Sequence, residues 1–261
     1  MLDYILFKEE ENLKLFHIFG FVIILSFVVL YITQHYIKFE IGMISTFLVT
    51  LAISYPVVKF LKREEKSEEV KKRLKETKLI ERHSRELLIY LTIFVAVTVA
   101  FICYASIFDV NVFDAQIETV KNINPGMISG NIFNVDHFTT ILYNNLGVFF
   151  LTFLLSLIIS GGMVFIIIWN ASVLGVFLVS ITQDIFRANV AIFSYLPHGL
   201  LEIGGYVFAG IAASLLSHQV DNYLVKEHYK QGVFDRVILD VLVITGIGLG
   251  FIFLGAFVEV L

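Results

Sequence analysis

The chain has 261 residues, 57% of them hydrophobic, and a mean hydropathy of +0.83. Soluble domains hold roughly 45–50% apolar residues, so the composition excludes an ordinary soluble protein and reads as an all-α, polytopic integral membrane protein embedded in a lipid bilayer. The net charge of −4 says little, because the charges are unevenly spread, and the single cysteine, Cys103, excludes an internal disulfide and a cysteine-based zinc site.

The first residues, MLDYILFKEEENLKLF, carry acids where a signal peptide needs a basic region, so they are not read as one. Apolar runs of spanning length, about 20 residues each, follow near 16–33, 41–60, 87–108, 145–168, 192–217 and 237–258. A shorter run, Ala171–Ile181, follows Asn170. It raises the expected count to seven segments, one of them short or re-entrant.

Lys and Arg set the expected orientation. The loop 59–86 is dense in them, from Lys59, Lys62 and Arg63 to Lys78, Arg82 and Arg85, and is expected to be cytoplasmic. The N-terminus, with Lys8 and Lys14, is two spans away and falls on the same side. The loop 109–143 holds only Lys121 and is expected outside, whereas 218–236, with Lys226, Lys230 and Arg236, is expected inside. Between these loops the chain must cross an odd number of times, which seven segments satisfy. The C-terminus then lies outside the cell membrane. Residues 1–86 form a helical hairpin with its charged loop, and 87–261 the remaining membrane domain.

The charged loop also carries Glu64, Glu65, Glu68, Glu69, Glu76 and Glu81, often three or four residues from a base. That is the spacing of a solvated helix, either a plain helix extension in water or a docking surface for a cytoplasmic partner or anionic lipid. In the outer loop, Phe133, Phe138, Ile141 and Leu142 recur near helical spacing after the turn signal Asn124-Pro125-Gly126. They predict an amphipathic interface helix anchored by Tyr143, with Asp136 and His137 as an ordinary helix-start pair.

Gly161-Gly162 is placed deep within the run 145–168, beside Ser156 and Ser160, where small residues let helices approach closely or unwind locally. In Trp169-Asn170-Ala171 the Asn can cap the short segment that follows. The next segment opens with Ser194–Tyr206 and holds Pro197, His198 and Glu202. Pro197 is expected to mark the helix start. His198 and Glu202 then share one face, a turn apart, and ionisable groups within a span face a bundle interior or a wet cavity. The last span carries Gly246, Gly248, Gly250 and Gly255, expected to pack tightly, and Glu259, expected to be hydrated at the outer interface.

Asn144-Asn145, Gly161-Gly162, Trp169-Asn170-Ala171, and Pro197-His198-Gly199 with Glu202 and Tyr206 together resemble the stage II sporulation protein M family, over roughly residues 88–260. The Pro-His-Gly-x-x-Glu piece is the most specific part. The hairpin with its charged loop after Pro56 looks like the longer archaeal versions of the family. The resemblance implies a polytopic membrane component. In spore-forming bacteria, the named member works with peptidoglycan-degrading partners in septal thinning and engulfment. A source without peptidoglycan would leave the process open.

Three functions compete for the cluster Asn144, Asn145, Asn170, Pro197, His198 and Glu202. As a metal site, His198 and Glu202 offer two ligands where three or four are needed, and no HExxH pattern exists. A dyad of His198 with Ser156, Ser160 or Ser172 lacks a GxSxG context. No catalytic residue, metal or cofactor is therefore assigned. As a transporter or channel, the cluster would form a polar site or proton relay. As a non-enzymatic scaffold, it would fix how helices pack and leave the loops for membrane or cytoplasmic protein partners, or for a homo-oligomer. The scaffold is the expected function, and no nucleic-acid partner is expected.

Overall fold

The fold is given by a computed structural model that describes residues 11–72, 79–123, 135–159, 161–182, 185–225 and 231–260. Lys8, Arg73, Lys75, Glu76, Lys78, Asn124-Pro125-Gly126, Phe133, Ser160, Lys226 and Lys230 lie outside the described residues.

Among the described residues the regular elements are all helical: α1 (Glu11–Ile32), α2 (Ile41–Lys72), α3 (Leu79–Ile107), α4 (Asp114–Ile123), α5 (Val135–Ile158), α6 (Gly162–Thr182), α7 (Ile185–Val225) and α8 (Gln231–Val260). Seven contain a stretch long and apolar enough to cross a membrane; α4 does not. The stretches run from 19 to 25 residues, about 29–38 Å of helix, which matches a hydrocarbon layer about 30 Å thick. This is a multi-pass membrane protein.

Its outward faces invert the soluble pattern. Phe16, Ile24 and Val28 on α1, Phe47, Leu51 and Tyr55 on α2, and Leu239, Leu242 and Leu254 on α8 are all exposed. These helices are apolar all round because the medium outside them is lipid. Several hydroxyls within the spans are satisfied locally, whereas the buried hydroxyls of Ser26, Ser45, Ser106 and Ser156 have no hydrogen-bond partner. On α2, Thr46 Oγ1 donates to Gly42 O at 2.7 Å, Thr50 Oγ1 to Thr46 O at 2.8 Å, and Ser54 Oγ to Thr50 O at 2.7 Å. Each uses a carbonyl of the preceding turn, so none needs water.

The chain divides into two compact units that alternate along the sequence. The first holds residues 1–76, 88–130 and 167–196; the second holds 77–87, 131–166 and 197–261. In the first, α3 supplies a buried row including Ile93, Phe94, Val97, Ala100 and Phe101. α6 lies against α3 at Gly175, where an added Cβ would stand 2.8 Å from both Thr98 O and Phe101 Cβ. Thr98 Oγ1 donates to Phe94 O at 2.9 Å and reaches Ala171 O at 3.3 Å. At the end of α1, a π turn over Thr33–Ile37 closes on Lys38, whose N–H reaches Thr33 O at 2.9 Å. This turn presents Gln34 Oε1 to the Tyr104 hydroxyl.

α4 is tied into the first unit by one polar side chain. Gln116 is fully buried, and its Nε2 donates to Ser172 Oγ at 3.3 Å. Ser172 Oγ in turn donates to Trp169 O at 2.7 Å. Gln116 Oε1 occupies the space over Gly42 that a side chain would fill: a Cβ there would lie 1.9 Å from it. Replacing Gly42 with Ala should therefore evict Gln116 and lower stability by about 1–3 kcal/mol, the usual penalty of overpacking. The check is thermal unfolding in detergent. Adding Gln116→Ala should recover part of the loss, since the two residues compete for one space.

Several boundaries differ from the sequence reading. The run 145–168 is not one span: α5 ends at Ile158, Gly161 turns the chain with φ 97°, and α6 starts at Gly162. That positive φ suits only glycine. The break leaves no gap in hydropathy because apolar residues flank it on both sides. As a result α6 is a full 21-residue helix rather than a short or re-entrant one, and Trp169-Asn170-Ala171 lies within it, so Asn170 is no cap. Pro197 does not start a helix either. It sits inside the 41-residue α7, as membrane helices tolerate. In the outer loop, Phe138, Ile141, Leu142 and Tyr143 form the first turns of α5 instead of a separate interface helix, and the helix between spans is α4. Helical periodicity alone does not distinguish a surface helix from the entry of a span. The charged loop 59–86 continues both neighbours: α2 runs on to Lys72 and α3 begins at Leu79.

Candidate functional site

In the second unit, α5 buries Ile141, Asn145, Phe149, Thr152 and Ser156. Their spacings of three and four residues place Asn145 on the one stripe of this helix that faces protein.

α7 and α8 run antiparallel along a glycine seam. A Cβ on Gly205 would stand 3.0 Å from Gly248 O, and one on Gly248 would stand 3.1 Å from Gly205 O. Glycine at both positions lets the two backbones meet. Further along, Gly255 abuts Glu202: a Cβ there would lie 2.8 Å from Glu202 Cγ and 3.4 Å from His198 O. Glu259 follows Gly255 by one turn and so lies on the same side of α8.

The polar atoms join through Asn145. Its Nδ2 donates to Glu202 Oε1 at 2.5 Å. Its Oδ1 accepts from the Tyr206 hydroxyl at 3.0 Å and from Asn144 Nδ2 at 3.3 Å. On the far side of Glu202, Glu259 approaches from α8, one turn beyond the glycine that abuts Glu202 Cγ. Asn145 and Glu202 each lie seven residues from the start of their span, and Glu259 lies one residue from the end of its own. The cluster therefore sits near one membrane face, with Asn145 and Glu202 about 10 Å inside the span ends.

Residues 15–261 match the family described as Stage II sporulation protein M. The chain belongs to the stage II sporulation protein M family. It matches no curated protein and no solved structure. The family match begins within α1, so the first two spans belong to the family pattern, whereas the sequence resemblance covers only 88–260.

In this sporulation protein M family member, Asn144, Asn145, His198 and Glu202 all belong to the second unit, and Asn145 touches Glu202 directly. His198 is half-buried one turn before Glu202, and Pro197 is exposed. Asn170 belongs to the first unit, within α6. Glu259 is the residue that sequence reasoning left out of the cluster: it stands one turn beyond Gly255, the glycine that abuts Glu202. The signal was its spacing from Gly255 and Gly248, four and eleven residues, which puts all three on the seam. Ser156 lies eleven residues from Asn145 along α5, about 16 Å, and Ser172 belongs to the first unit. Among the described residues, no three His, Cys, Asp or Glu side chains gather as metal ligands.

Chemically the arrangement is a clamp in which hydroxyl, amide and carboxyl bond α5 to α7, while α8 packs against both at its glycines. Tyr206→Phe should remove one link and keep the shape. The expected loss is about 0.6–2 kcal/mol, the worth of a hydrogen bond within a membrane bundle, read as a lower unfolding temperature in detergent.

Proposed function

We propose that this sporulation protein M family member is a non-enzymatic scaffold that holds protein partners at the membrane. The observation that carries the reading is the length of α2. Its span ends at Lys59, yet the helix continues to Lys72, a rise of about 20 Å beyond the bilayer. That segment holds Lys62, Arg63, Glu64, Glu65, Lys66, Glu68, Glu69, Lys71 and Lys72. A charged helical arm of this kind offers a surface to a partner of mixed charge. The density of Lys and Arg supports a cytoplasmic arm and N-terminus and, across seven spans, a C-terminus outside.

The cluster fits this role. Its amide, hydroxyl and carboxyl groups bond to one another, which favours a packing clamp over a site aimed at a ligand. Bonds of this strength specify how helices meet.

The test is crosslinking in native membranes, recovery of the tagged chain, and identification of what accompanies it. Partners with hydrolytic or ATPase domains, lost when residues 62–72 are deleted, are the expected result. Recovery of the chain alone, or only with copies of itself, would sink the scaffold.

A second reading, transport, is favoured by one feature: Glu202 lies within a span and receives a hydrogen bond from Asn145 there, as residues of proton pathways do. Proteoliposomes containing the purified chain would then pass protons or solute, and Glu202→Gln would stop the flux.

A further inference from the structure

We infer that Gln116, Ser45, Thr46 and Ser172 form a buried binding site for one dehydrated monovalent cation, between α2, α4 and α6 of the first unit. The inference is independent of the scaffold reading, because none of these residues belongs to the charged arm or to the cluster around Asn145.

The site depends on a helix that is not a span. Phe113, just before α4, is fully buried, its ring centre 5.5 Å from that of Phe101 and 6.3 Å from that of Tyr104. This anchor sets Gln116, three residues on, among the spans. There Gln116 meets Ser172, the middle residue of the span Gly162–Thr182. Thr46 Oγ1, from α2, lies 3.4 Å from Ser172 Oγ. Polar groups of three helices thus converge in the interior of a bundle, a place where they are expensive unless they have partners.

Counting hydrogens shows what the cluster lacks. The one hydroxyl hydrogen of Ser172 goes to Trp169 O at 2.7 Å, and that of Thr46 goes to Gly42 O at 2.7 Å. Ser172 can therefore only accept from Gln116, which turns the amide nitrogen to Ser172 and the amide oxygen to Gly42. Gln116 Oε1 is buried there with no hydrogen-bond partner. Ser45 Oγ, on the same face of α2 one turn beyond Gly42, is buried and has no partner either. Leucine or methionine at 116 would fill the space without this cost. The oxygens of Gln116, Ser45, Thr46 and Ser172 together hold spare lone pairs, and the hydroxyl hydrogens of Thr46 and Ser172 are spent.

Hard, neutral oxygens in surplus suit a hard cation, and the charge count selects its valence. No Asp, Glu, Lys or Arg occurs within 41–58, 88–107 or 162–182, and Asp114 and Glu118 of α4 are exposed. Without a carboxylate, nothing in the cluster offsets a double charge. Amide and hydroxyl oxygens can replace the water shell of Na⁺ or K⁺, as carbonyl oxygens do in transporters and channels.

The test is thermal unfolding of the full chain in detergent, with NaCl, KCl or LiCl titrated against choline chloride at constant ionic strength. Choline is too large for the site. The expected result is a midpoint that rises with one of the small cations, climbing with the logarithm of its concentration once the site is half filled. Ser45→Ala should move that rise to a higher concentration, and Gln116→Leu should abolish it. Midpoints that are equal in all four salts overturn the site with no variant needed, and leave Gln116 Oε1 to a water molecule. A cation-dependent rise of the same size in Gln116→Leu also overturns it. Partner recovery through the α2 arm is measured separately, so failure of the site and failure of the scaffold are distinguishable.

Discussion

Asn145→Asp should destabilise the second unit more than Asn145→Leu does, although Asp is much the closer in shape. The leucine variant loses both bonds of the side chain and leaves the Tyr206 hydroxyl and Glu202 Oε1 without their partner. Each unsatisfied buried group costs about 1–3 kcal/mol. The aspartate variant loses the amide that donates to Glu202 from α5 and sets a further carboxyl beside it. Ionised, it would add a repulsion of about 4 kcal/mol for charges 4 Å apart at an effective dielectric of 20. Unfolding temperatures of both variants in the same detergent decide the matter. If the aspartate variant proves as stable as the leucine one, Asn145 is not acting as a donor to Glu202.

The second large effect belongs to the first unit. Gly175→Leu should disrupt the packing of α6 on α3, because even a Cβ at this position would lie 2.8 Å from a backbone oxygen, Thr98 O. A carbonyl within a helix cannot step aside as a flexible side chain would, so the helices must part, and the Thr98–Ala171 contact goes with them. Overpacking of a single methyl costs about 1–3 kcal/mol, and leucine should exceed that range. The control is Gly147→Ala on α5, where an added Cβ meets nothing within 4 Å. It should be neutral or stabilising by up to about 1 kcal/mol, the helix propensity of Ala over Gly. Equal losses at the two positions would show that the α3–α6 contact is not the cause.

These two sites differ in how far the sequence announces them. Asn145 stands in the motif that carries the family resemblance, and its polarity within an apolar run marks it for attention. Gly175 is one of seventeen glycines, and nothing in its neighbours separates it from Gly147, which touches nothing. Glu259 is an intermediate case. Its spacing from Gly255 is legible, but that Gly255 faces Glu202 depends on the rotation of α8 about its own axis. Gln116 was invisible for a related reason: its burial depends on Gly42, far away in sequence, lacking a side chain.

By itself the sequence determined that this is an all-helical membrane protein with seven spans, the family it belongs to, and where its ionisable residues fall along the spans. Those conclusions rest on local quantities: the length of an apolar run set against the bilayer, and residue types at short spacing. Only the tertiary structure decided where the turn at Gly161 falls, that Pro197 lies within a helix, and which polar residues meet. In lipid every face of a span can be apolar, so the hydrophobic pattern that orients a helix in a soluble protein carries little information here. The rotation and pairing of these helices are set by steric contacts at glycines and by a few hydrogen bonds, which link residues distant in sequence and leave no periodic trace.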